Sequence, residues 1–160
     1  ALGSCIAGAI WDRVARWGGL PPFMLPEAGQ NAAPGAAEQP YRYADTGTPL
    51  LFRAAYRLGA DKQRLLVRLA GGAAVAGDGG LFNIGKRNYA AVRRILWKAG
   101  VMVHGEDVGG SVSRTVRMEV GTGRLVIRRP DGVEQELAAD GAGRRWTAAG
   151  TGGVKCTNGC

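Results

Sequence analysis

Ile6-Ala7-Gly8-Ala9-Ile10-Trp11 is small and apolar throughout, is entered from Leu2-Gly3-Ser4-Cys5, and stops at Asp12. A short unbroken apolar run of this kind reads as a buried strand. Its entry carries a thiol beside two small residues. A bulky substrate group has room to approach there, and backbone N–H groups can point inward.

Downstream, Pro21 to Pro40 holds five prolines among Gly, Ala and Gln, and Glu27 to Gln39 reads as a flexible loop. A first helix is expected to start near Thr46 to Pro49, because proline is favoured in the first turn. Leu50, Leu51, Ala54, Ala55 and Leu58 form its core-facing stripe, and Gly59 suits the position past its end. Leu65 to Leu69 reads as a strand running into Gly71-Gly72, followed by a glycine-rich loop over 74–82. Asn83 is placed to cap a second helix whose apolar face is Val92, Ile95, Leu96 and Ala99, stopped by Gly100. Val101 to Val103 reads as a strand. Ser113 to Val120 and Arg124 to Arg129 read as a hairpin closed by Gly121-Thr122-Gly123. The expected fold is therefore an α/β (α+β) layered sandwich, a mixed sheet with two main helices and a C-terminal hairpin. Asp131-Gly132 then turns into a candidate edge strand, Val133 to Leu137, and a disordered tail is expected from Ala138 on.

With 160 residues, 46% hydrophobic and 21% charged, the chain is one ordinary globular domain rather than a fibrous or disordered one. Its 27 glycines disfavour an all-helical fold. No apolar stretch is long enough to cross a membrane, no signal peptide is evident, and the abrupt opening suggests that the native N-terminus is cut away. The net charge of +8 favours acidic partners. The arginines are dispersed, without interleaved stacking aromatics, so they read as a solvated surface rather than a nucleic-acid site. Three cysteines are too few for a disulfide scaffold and fit a reducing cytosol with Cys5 free.

Several further runs accompany Leu2-Gly3-Ser4-Cys5. They are Gly18-Gly19-Leu20-Pro21-Pro22-Phe23-Met24-Leu25-Pro26, Arg42-Tyr43-Ala44-Asp45, Gly71-Gly72-Ala73, Asn83-Ile84-Gly85-Lys86-Arg87-Asn88 and Glu106-Asp107-Val108-Gly109-Gly110. In this order and at about this spacing, over residues 1–129, the chain resembles the chemoreceptor glutamine deamidase (CheD) family. By Arg129 the family pattern is complete, leaving 130–160 as a C-terminal extension. The resemblance implies hydrolysis of glutamine side-chain amides, and of methyl glutamates, on chemotaxis receptors in the cytoplasm. It implies no cofactor, and a chemotaxis phosphatase as a further partner. It puts the nucleophile at Cys5 and the catalytic histidine at the residue before Phe23, which here is Pro22. The family's further catalytic threonine falls upstream of Ala1.

Such chemistry needs a thiolate and a group to protonate the leaving ammonia, two tasks that one imidazole performs. Pro22 has no ionisable side chain. Gly3, Ser4 and Cys5 offer backbone donors for the developing oxyanion. His104 is the single histidine and hence the single substitute base, although a strand-end histidine is ordinarily a surface residue. Glu106 and Asp107 are adjacent and point apart on an extended chain, so a structural role is expected of each. Asp45 reads as a helix cap. Asn83 to Asn88 lacks the Ser or Thr of a phosphate loop. Cys156 and Cys160 fall short of a zinc site, since the remaining ligand types lie in the core. Pro22 leaves two readings open: a weakened deamidase, or a pseudoenzyme that keeps the fold and docks as an adaptor to receptors or the phosphatase.

Overall fold

Every residue of β1, Ile6–Asp12, is buried in the computed structural model, which describes residues 1–29, 39–74 and 83–139. β1 is the middle of a mixed sheet. It pairs antiparallel with β2 (Trp17–Gly19), with β3 (Pro22–Phe23) and, from Ile6 to Trp11, with β4 (Leu66–Gly71). β4 in turn pairs parallel with β5 (Gly105–Val108). Alternation sends Ile6 and Ile10 of β1, with Val67 and Leu69 of β4, into one core. There they meet α1 (Ala44–Arg57) through Leu51, Phe52 and Ala55, and α2 (Ile84–Lys98) through Ala91, Val92 and Leu96.

A second, three-stranded antiparallel sheet lies beyond the first: β6 (Thr115–Glu119), β7 (Arg124–Arg128) and β8 (Glu134–Glu136). Several polar ties fasten it to the central sheet, two of them from Trp11 and Arg68. Trp11 Nε1 donates to Val120 O at 2.6 Å. The buried Arg68 guanidinium donates to Gly123 O and Leu137 O at 2.5 and 3.0 Å. The result is a layered α+β domain with two helices and a C-terminal hairpin, as the sequence implies.

Several details differ from expectation, among them Leu58, which was assigned to the core-facing stripe of α1 and is exposed. α1 starts at Ala44, ahead of Thr46 to Pro49, because the carbonyls of Leu25 and Pro26 accept its first N–H groups, from Ala44 and Asp45, at 2.9 and 3.2 Å. Asp45 therefore sits inside the first turn, where its carboxylate accepts from Ala28 N and Thr46 N. Asn83 occupies the N-cap position of α2 in a left-handed conformation (φ 35°), and its side chain makes no capping bond. Val101 to Val103 is a connector, and the strand is the polar segment after it, β5. The short β2 and β3 were not expected in so glycine- and proline-rich a stretch. β8 supplies the expected edge strand within Val133 to Leu137. Most of the proline-rich loop and of the 74–82 loop, the tail from residue 140, and Cys156 and Cys160 lie outside the described residues.

Candidate active site

The glycine-rich runs meet at one end of the central sheet. Antiparallel pairing sets Ile6 opposite Gly71, so Cys5 lies where β4 and β5 both end. Gly71 has φ +114°, and a Cβ there would stand 2.1 Å from Cys5 O, so only glycine lets the two chains approach this closely. α2 comes in over the same end. A Cβ on Gly85 would lie 2.4 Å from Gly72 O, so the bare backbone of the helix rests on the bare backbone after β4.

These approaches fix the loop that carries the thiol. Ala73 N donates to Gly3 O at 2.9 Å and Gly72 N to Cys5 O at 2.8 Å. Asn88 Nδ2 donates to Ser4 O at 3.1 Å. Three consecutive carbonyls are thus held against the protein. Cys5 itself is a free, half-buried thiol.

Position 22 reaches the same place from β3. Ile6 pairs with Phe23 and Ala7 with Pro22, and Ile6 and Phe23 both enter the helix-side core. Alternation puts Ala7 and Pro22 on the opposite face, and the same alternation carried one residue before β1 assigns Cys5 to it. Residues so related are diagonal cross-strand neighbours, about 7–8 Å apart, within the span of an imidazole. Pro22 is exposed, and an edge strand tolerates its missing N–H.

His104 lies elsewhere. Its backbone N–H donates to Val67 O at 2.7 Å and its Nδ1 accepts from Val67 N at 3.0 Å. Val67 pairs with Ile10, four residues up the ladder from the Ile6–Gly71 pair. At the usual rise that is roughly 13 Å along the strand. His104 and Cys5 are not brought together.

Glu106 and Asp107 point to opposite faces. The buried Glu106 carboxylate accepts from Tyr89 Oη at 3.0 and 3.1 Å and pairs with Arg93 at 3.3 Å. Burial pushes its carboxyl pKa up, against the opposing pull of Arg93 and Tyr89. Asp107 pairs with Arg114 and Arg129 at 3.2 and 3.1 Å. Arg114 went unnoticed in the sequence as one more hairpin arginine. It is buried, and its guanidinium donates to Gly71 O and Gly109 O at 2.7 and 2.8 Å, tying together the ends of β4 and β5. Its main chain exchanges hydrogen bonds with Leu2 at 2.6 and 3.0 Å. Asn88 was also missed as an individual residue, although it ends one of the recognised runs. Among the described residues no group of three His, Cys, Asp or Glu side chains is placed to hold a metal ion. Among them too, no helix is long and apolar enough to cross a membrane.

Fold and site define a layered α+β domain that offers, among the described residues, one thiol at the mouth of a central strand, framed by glycine backbone. The family profile described as CheD chemotactic sensory transduction matches residues 24–129. The chain is 48% identical over 137 residues to a probable chemoreceptor glutamine deamidase CheD of Solibacter usitatus, covering 86% of this chain and 80% of that protein. It is 44% identical over 137 residues to the probable chemoreceptor glutamine deamidase CheD 1 of Syntrophus aciditrophicus, covering 86% and 85%. It is 38% identical over 134 residues to the chemoreceptor glutamine deamidase CheD of Thermotoga maritima, covering 84% and 82%. The chain belongs to the CheD family.

Proposed function

We propose that this protein acts on chemotaxis receptors as a cysteine-dependent glutamine deamidase whose turnover is limited by Pro22. The observation that carries the reading is the convergence of the family's runs on Cys5, a free and half-buried thiol on a loop whose carbonyls are all engaged. The names of the relatives supply the substrate class.

In this reading the Cys5 thiolate attacks the side-chain carbonyl carbon of a receptor glutamine, and the carbonyl π pair moves onto oxygen. Backbone N–H groups of the Gly3-Ser4-Cys5 loop stabilise that oxyanion. Collapse breaks the C–N bond, and nitrogen takes a proton as it leaves as ammonia. Water then adds to the thioester, the C–S bond breaks, and glutamate and the thiol are released. Pro22 provides neither the base for the thiol nor the acid for ammonia, so both proton transfers fall to solvent. The net charge of +8 favours encounter with acidic receptor helices. A cytoplasmic location and a chemotaxis phosphatase partner belong to the same reading. Pro22 itself favours a second reading, a non-catalytic adaptor that docks to the receptor or the phosphatase.

Replacing the proline decides between them. Pro22→His, in a chain carrying the family's upstream residues, is expected to raise receptor-glutamine deamidation roughly a hundred-fold to ten-thousand-fold. Product glutamate is read by mass spectrometry of the receptor fragment. His104→Ala is expected to leave both backgrounds unchanged. Brisk deamidation by the native sequence that His104→Ala abolishes would overturn the assignment of position 22. No deamidation from either chain, with receptor binding retained, supports the adaptor.

A further inference from the structure

Asn88 is completely buried on α2 and joins the two segments that matter for the thiol. Its Nδ2 donates to Ser4 O at 3.1 Å, one residue before Cys5, and to Met24 O at 2.9 Å, two residues after position 22. The approach of Gly85 to Gly72 brings the helix down, and Asn88, three residues on, shares the face of Gly85. Only an amide suits this position among side chains of its size. The –NH2 group presents two donors in one plane, whereas a carboxylate would set acceptors against two carbonyls. The same argument fixes the amide's orientation, since a flip would oppose oxygen to oxygen.

The arrangement has a cost. Asn88 Oδ1 is buried without a partner. An orphaned buried acceptor destabilises a fold, although an apolar side chain of the same volume would take the donor from Ser4 O and Met24 O instead. A residue that breaks the packing rule while bridging two site segments is expected to serve the site. We infer that Asn88 is a positioning residue, which holds the Cys5 loop in register with position 22. The inference rests on Cys5 being the reactive group of the proposed function.

The test reads Cys5 directly. Iodoacetamide labelling of the full chain is followed against pH, with the Cys5 peptide separated by mass spectrometry from those of Cys156 and Cys160. Asn88→Leu keeps the volume and removes both donors; it is expected to change the Cys5 labelling rate at least about ten-fold, since small displacements of reacting groups carry large rate effects. Asn88→Ser keeps one donor and is expected to fall between, which preserves the test should Asn88→Leu fail to fold. Val92→Ala, a cavity in the same helix that leaves both carbonyl bonds intact, is the control for lost stability. A shift with Asn88→Ser or Asn88→Leu and none with Val92→Ala supports the inference. Wild-type labelling in the Asn88 variants, or an equal shift with Val92→Ala, overturns it. In the Pro22→His background, Asn88→Leu is expected to remove the gained deamidation and Val92→Ala to keep it. If Pro22→His gains nothing, the deamidase reading fails while the labelling result still decides the role of Asn88.

Discussion

The two ends of β1 are built from different chemistry. At the Cys5 end, uncharged groups hold the thiol loop itself, where backbone amides and the Asn88 fork close on three carbonyls, while the Arg114–Asp107 pair secures the neighbouring ends of β4 and β5. At the other end Asp12 is fully buried and collects donors. Its Oδ1 accepts from Val14 N and Ala15 N at 2.8 and 3.1 Å, and its Oδ2 accepts from Asp61 N at 2.9 Å and pairs with Arg64 at 3.0 Å. Burial alone would push the Asp12 carboxyl up. The N–H groups of Asp61, Ala15 and Val14, together with Arg64, outweigh it and hold the carboxyl well below the usual carboxylate range. One strand thus carries a charge-anchored end and an end whose thiol loop is fastened by uncharged groups.

The sharpest way to break that contrast is to remove the anchor. Asp12→Ala strands three backbone donors and Arg64, and is expected to cost roughly 3 kcal/mol, after allowing for the partial exposure of Arg64. Urea unfolding at neutral pH measures it. Cys5 labelling should be unchanged in the folded variant, and a parallel shift in labelling would show that the two ends are not independent. The pH dependence has a definite sign. A depressed folded pKa gives stability that is present above the unfolded value of about 3.9 and lost as pH falls below it. Asp12→Asn should therefore flatten the acid limb of the stability curve.

The second sheet tests the contrast from outside. The family pattern and the profile match both end at Arg129, yet Leu137 N donates to Leu125 O at 2.8 Å and Leu137 O accepts from Arg68. A chain stopped after Arg129 leaves a buried guanidinium short of a partner and β7 short of its outer strand. Relative to a chain stopped after Ala139, it is expected to lose roughly 1–3 kcal/mol, or about 5–10 degrees of melting temperature. An unchanged melting temperature would show that β8 and Leu137 add nothing to the Arg68 anchorage.

What the sequence discloses follows the range of the interactions involved. Ile6 to Trp11, the hairpin around Gly121-Thr122-Gly123 and the apolar stripe of α2 were legible because their signals are local. The start of α1 was not, because its first partners are the carbonyls of Leu25 and Pro26, across a loop. β5 was hidden for a related reason: Glu106 and Asp107 look like loop residues until Arg93, Tyr89, Arg114 and Arg129 are brought to them. In the proposed site, Cys5 and position 22 are named through family resemblance. The fork of Asn88 needed the contact between Gly85 and Gly72, which no spacing within either run announces.

Glu106 offers the finest probe, because its carboxylate has partners yet is perturbed in the opposite direction from Asp12. Burial dominates, and the folded pKa is raised. A raised acid contributes stability that is present below the unfolded value of about 4.3 and lost as pH rises through the folded value. At neutral pH the ionised carboxylate is thus held at a disadvantage that Arg93, about two-fifths exposed, only partly offsets. Glu106→Gln keeps the size and an acceptor for Tyr89 Oη, and frees Arg93 to turn to solvent. The variant should match the native chain near pH 4 and become the more stable of the two at pH 7, by no more than about 1 kcal/mol. Paired melting curves at the two pH values measure the crossing. If Glu106→Gln is instead the less stable at pH 7, the ion pair with Arg93 outweighs the cost of burial, and this end of β5 is charge-anchored in the same sense as Asp12.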